Sequence, residues 1–129
     1  MQEPHLFEYG VIRIVPHVER EEFLNAGVIL YCASEKFLRC LTTVDEERLK
    51  ILCDAIDFNE LRDHIQSFEK ICMGDKDSGP IGKLSLAERF RWLTATRSTI
   101  VQTSKVHPGL CISASEKLSQ LFNQLVLKC

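Results

Sequence analysis

The sequence predicts an α+β domain, with an antiparallel sheet of three to four strands and helices packed mainly on one face. Two observations point there. Runs rich in β-branched and aromatic residues crowd the first third of the chain, and segments with helical spacing and capping signals fill much of the rest. At 129 residues the whole chain reads as one domain, with enough length for a single core.

Residues 7–15, FEYGVIRIV, alternate and end at Pro16, as a strand does. Alternation puts Phe7, Tyr9, Val11, Arg13 and Val15 on one face, and Arg13 is the misfit. A mid-strand arginine either snorkels along its stem or is held for a ligand or ion pair, with Glu8, Glu19 and Glu22 the nearest acids. The connector HVEREEFLNAG follows, a solvated stretch in which Asn25 and Gly27 are expected to do backbone work. Residues 28–33, VILYCA, are apolar on both faces. That marks a central strand covered on both sides, or covered on one side by helices and on the other by a partner. A polar turn at Ser34, Glu35 and Lys36 leads into a third strand over residues 37–43, closing a β-hairpin.

Helical signals come next. Thr43 with Glu46 and Asp57 with Glu60 have capping-box spacing, and Leu61, Ile65, Phe68 and Cys72 mark one buried face that stops at Gly74. Residues 74–83 are turn formers and are expected to be a mobile loop. Their GPIGKLS lacks the spacing of a phosphate loop. Ser85 with Glu88 opens a short helix with Leu86, Phe90 and Leu93 in its seam, which favours a core role for Trp92 over a stacking one. Residues 99–103 read as one more short strand flanked by basic loops. Ser113 with Glu116 opens a last helix that packs Leu118, Leu121, Phe122 and Leu125 inward.

Composition is that of a globular protein, with 45% hydrophobic and 26% charged residues. Six cysteines occur without a C-x-x-C pair, which gives little support to a zinc or thioredoxin-like site, and no metal or cofactor is expected. MQEPHLFEYG has no basic or apolar leader pattern, and no run approaches a membrane span, so the expectation is a cytoplasmic protein with reduced thiols and no membrane contact.

The formal net charge of −2 hides a division: residues 1–88 hold 10 Lys/Arg against 17 Asp/Glu, whereas residues 89–129 hold 6 against 1. Arg89, Arg91, Arg97, Lys105 and His107 share an acid-free stretch with the only tryptophan, Trp92, and with hydroxyls at Thr94, Thr96, Ser98, Thr99, Thr103 and Ser104. Guanidinium forks among hydroxyls suit a carboxylate or phosphate. The same division also fits two faces that neutralise each other internally.

Two segments, EYGVIRIVPHVEREEFLNAGVIL and RFRWLTATRSTIVQTSKVHPGL, resemble the bacterial family of domains of unknown function numbered three-zero-three-seven. The family pattern falls on Tyr9, Arg13, Pro16, Glu22, Asn25, Gly27, Arg89, Phe90, Arg97, Ser98, Gln102, His107 and Gly109. The resemblance implies no established activity. It implies an accessory role, with a HipA-like kinase as the neighbour.

The expected anion- or partner-binding set is Arg13, Glu22, Asn25, Arg89, Arg97, Ser98, Gln102 and His107, converging where Arg13, the 19–25 connector and the 97–107 segment meet. Three functions compete. A protein-interaction module would present the basic, hydroxyl-rich ridge to an acidic or phosphorylated partner, and a homo-oligomer is compatible with it. A nucleic-acid or nucleotide-phosphate binder would use the same arginines with Trp92, against a pI near 6.1. A small enzyme would need a nucleophile beside a base, from Ser98 or Cys111 with His107, or Glu22 as acid or base in phosphoryl transfer. No acidic cluster of the kind magnesium wants accompanies it, and no catalytic residue is assigned.

Overall fold

The computed structural model describes residues 3–128. Its strands are β1 (His5–Ile14), β2 (Leu24–Cys32), β3 (Phe37–Thr42), β4 (Val101–Thr103) and β5 (His107–Cys111). Its helices are α1 (Glu46–Leu52), α2 (Phe58–Met73), α3 (Leu86–Leu93) and α4 (Ala114–Phe122). The α+β class holds, with a five-stranded antiparallel sheet in the order β3-β2-β1-β4 and β5 also pairing β1.

One long strand therefore carries two short ones along a single edge. The C-terminal end of β1 pairs β4, from Ile12↔Thr103 to Ile14↔Val101, and its N-terminal end pairs β5, from His5↔Cys111 to Tyr9↔His107. Ser104 spans the break. Its amide donates to the Val11 carbonyl, and its hydroxyl accepts from the Val11 amide, both at 2.8 Å. The same hydroxyl donates to the Lys105 carbonyl at 2.9 Å. A side chain thus completes the hydrogen-bond ladder where the backbone departs from it.

β5 occupies part of a segment expected to be loop. Pro108 disfavours a strand, but β5 lies at the sheet margin, where a missing amide leaves no ladder bond unmade. β2 likewise begins at Leu24, earlier than the apolar run suggests. A register shift between Ile12 and Arg13 skips Ala26 on β2. Gly27 sits beside this bulge, and a Cβ there would lie 2.5 Å from the Leu41 carbonyl oxygen. Its role is close approach. Asn25 works through its side chain instead, donating to the Leu125 carbonyl at 3.2 Å.

The two faces of the sheet carry separate cores. Ile12, Ile14, Ala26 and Ile29 pack with Leu49, Leu61, Ile65, Phe68, Cys72, Phe90 and Leu93 from α1, α2 and α3. Phe7, Val28, Leu30 and Cys32 pack with Ala114, Leu118, Leu121 and Val126. The double-sided apolar strand is thus covered by this chain's own helices, three elements on one face and α4 with its following turn, Asn123–Leu127, on the other.

Helix starts follow the capping rules. Asp57, Ser85 and Ser113 each accept the amide three residues on, at 3.1, 3.2 and 3.3 Å. At α1 the cap is Asp45, which accepts from the Arg48 amide at 3.1 Å, in place of Thr43. α2 ends at Gly74 with φ 67°. Residues 74–83 form two 3₁₀ turns, Lys76–Ser78 and Ile81–Lys83. No helix among the described residues is long and apolar enough to cross a membrane.

Candidate functional site

β1 places Arg13 directly between Asn25 on β2 and Gln102 on β4. Neighbours in register share a face, and Asn25 reaches the turn after α4, so this row lies on the α4 side of the sheet. The Arg13 guanidinium carbon stands 4.1 Å from the centre of the Phe23 ring. No ion pair among the described residues involves Arg13. Each expected acid is engaged elsewhere: Glu8 with Arg91 at 3.8 Å, Glu19 with His17 at 3.7 Å, and Glu22 with Arg20. Arg13 Nε and Asn25 Oδ1 are buried without a hydrogen-bond partner. Gln102 donates to the Thr99 carbonyl at 2.9 Å, which fixes its amide at the rim.

His107 belongs to the same face, in register with Tyr9, their rings 5.4 Å apart. It is exposed on the sheet margin. Arg13, Asn25, Gln102 and His107 thus share a surface that the α4 core leaves partly uncovered. Next to it, Phe23, Asn25, Arg48, Leu125 and Lys128 line a cavity of about 250 Å³.

The other expected residues lie elsewhere. Val101 pairs with Ile14 in the core under α1–α3, and Arg97 shares a cavity of about 250 Å³ with Val101, Phe68, Leu93 and His64. The sheet therefore stands between Arg97 and Arg13. Arg97 lies 4.4 Å from the centre of the Trp92 ring and donates to the Trp92 carbonyl. Burial holds its pKa below the ordinary guanidinium value. Trp92 is 39% exposed, so the expected core tryptophan is instead a surface ring covered on one side by a guanidinium. Helix α3 turns its seam inward through Phe90 and Leu93, which leaves position 92 outside.

Arg89 is spent internally. It donates to the Leu84 carbonyl at 2.8 Å and to the Cys72 carbonyl at 3.5 Å. Its guanidinium crowds Gly74, where an added Cβ would stand 3.2 Å from Cζ. It closes the end of α2 onto residues 74–84. Glu22 and Ser98 are exposed. The basic stretch is therefore not one ridge in space: Arg89 is a closing residue, Arg91 neutralises Glu8, Arg97 flanks Trp92, and only Gln102 and His107 join the face of Arg13.

One contact was invisible in the sequence. Cys53 Sγ lies 3.5 Å from His17 Nε2, and His17 Nδ1 lies 3.7 Å from Glu19. The order is thiol, imidazole, carboxylate. Thirty-six positions separate Cys53 from His17, so no local motif announces the pair. None of the cavities described above includes Cys53.

A family model described as "Protein of unknown function (DUF3037)" matches residues 9–126. The chain belongs to the DUF3037 family. That span runs from Tyr9 on β1 to Val126 in the turn after α4, so it takes in the Arg13 row, its Phe23 backing and the Trp92 cavity alike. No curated protein and no solved structure matches the DUF3037 chain.

Proposed function

We propose that this DUF3037 chain is a protein-interaction or accessory module that takes an acidic or phosphorylated group of a protein partner at Arg13. The observation that carries this reading is a guanidinium backed by Phe23, flanked by the Asn25 and Gln102 amides, and paired with no acid among the described residues. A half-buried arginine without an anion is an incomplete arrangement, and a carboxylate or phosphate completes it through two parallel N–H bonds. Asn25 and Gln102 add amide donors and acceptors that fix orientation. A HipA-like kinase is the partner class implied by the family resemblance.

The test is a tagged pull-down from the native host at moderate salt, with Arg13→Ala and Arg97→Ala variants alongside. A stoichiometric protein held by the parent and by Arg97→Ala, but released by Arg13→Ala, supports the module. Retention by Arg13→Ala removes the site.

The exposed Trp92 with Arg97 against it favours a second reading, a nucleic-acid or nucleotide-phosphate binder in which the ring stacks on a base. Binding of that kind falls steeply with salt and depends on Trp92 and Arg97, which separates it from docking at Arg13. His107 and Cys111 stand at opposite ends of β5, so the contact that supports an enzymatic reading is that of Cys53 with His17.

A further inference from the structure

At the opposite end of β1 from Arg13, three elements bring sulfur and carboxylate ligands together. Cys32 closes β2, Cys111 closes β5, and Glu35 lies in the β2–β3 turn. Their ligand atoms all lie within 4.8 Å of one another. We propose that Cys32, Cys111 and Glu35 form a binding site for a borderline-soft divalent cation of the zinc class.

The donor set selects the metal. Two thiolates exclude hard magnesium and calcium, whereas zinc takes mixed sulfur and oxygen ligands in a tetrahedron. Zinc–sulfur bonds of about 2.3 Å place two sulfurs about 3.8 Å apart, a separation within the 4.8 Å that bounds the three ligand atoms. Cys32 is fully buried, and Cys111 is 7% exposed beside a groove lined by Leu110, Ser113, Glu116 and Lys117. That groove gives the ion a path and leaves room for a fourth ligand.

The surroundings orient the ligands. Glu35 accepts the Ala114 amide at 2.8 Å through one carboxylate oxygen, which fixes the group at the start of α4. His5, the register partner of Cys111, bonds Ser34 at 2.9 Å, and Ser34 Oγ lies 3.6 Å from Cys32 Sγ. Burial, then the proximity of Cys32 and Glu35, pushes the Cys111 thiol above its ordinary pKa. On loading, each sulfur gives its proton to solvent as it bonds the cation, and no electron is transferred.

The site is independent of the Arg13 reading, so either proposal can fail alone. The experiment titrates the reduced full chain with Co²⁺. One equivalent per chain should produce sulfur-to-cobalt charge-transfer absorption in the near ultraviolet and raise the melting temperature, with Zn²⁺ displacing it. Cys32→Ser and Cys111→Ser should lose the absorption, and Cys40→Ser should keep it. Because Cys32 is in the core, the exposed Glu35→Gln is the second variant, and it should weaken Co²⁺ by about 10-fold or more. Absence of the thiolate band in the parent chain would overturn the site. So would an unchanged band in Cys111→Ser.

Discussion

Ser104 Oγ accepts the Val11 amide at 2.8 Å, and Ser104 N donates to the Val11 carbonyl at the same distance. This reciprocal pair is what lets β4 and β5 share one edge of β1. It also carries the first prediction. Ser104→Ala removes the acceptor from a buried amide and should cost about 1–3 kcal/mol in urea denaturation. Faster hydrogen exchange at the Val11 amide checks the cause. Unchanged exchange there would show that another group takes over.

Arg89 and Arg97 should behave differently although both lie in the basic stretch. Arg89→Ala leaves the Leu84 carbonyl without its donor and opens the end of α2, so it should lower stability by about 1–3 kcal/mol. Arg97→Ala loses one cation–π contact and an exposed hydrogen bond to the Trp92 carbonyl, and should cost about 0.5–1 kcal/mol. Thermal melts of the two variants side by side decide it, and equal shifts contradict the assignment.

Trp92 supplies its own reporter. Removing Arg97 uncovers one face of a ring that is already 39% exposed. Acrylamide quenching of tryptophan emission should rise in Arg97→Ala, and the emission should move to longer wavelength. A ring unaffected by the substitution would mean that the guanidinium does not rest on it.

At Gly27 the constraint is steric. Gly27→Ala drives a methyl against the Leu41 carbonyl in the central strand pair, and should cost about 1–3 kcal/mol or more, as overpacking does. Chemical denaturation measures the loss. Free tolerance of alanine would place β3 farther from β2.

The Cys53 thiol is half-buried beside an imidazole. His17→Ala should slow its alkylation by iodoacetamide at neutral pH, as read by peptide mass analysis, because an imidazole nitrogen 3.5 Å from the sulfur can take the thiol proton as the sulfur attacks. Equal rates would leave the contact without chemical effect, and the enzymatic reading would lose its remaining support.

What the sequence determined is mostly local. Asp57, Ser85 and Ser113 announce their helices because a capping side chain reaches an amide three residues away. The face of Leu61, Ile65, Phe68 and Cys72 is legible because helical spacing sets it. Asp45 displaced Thr43 because both lie within reach of a first turn and only backbone geometry chooses between them. The α+β class itself follows from these local patterns.

Tertiary structure decided the rest. β5 forms through Pro108 because the strand has a margin to occupy, a fact of sheet order. Arg89, Arg91 and Arg97 are close in sequence, yet they serve a helix end, an acid on β1 and an indole face, because a helix and a sheet send neighbouring residues to different surfaces. Conversely, Arg13, Asn25 and Gln102 become neighbours only through strand register, and Cys32, Glu35 and Cys111 only where two strands and a turn end together. Spacing along a chain encodes elements because their hydrogen bonds are short-range. A site assembled from three elements depends on how those elements pair, and that pairing is fixed by burial across the whole sheet.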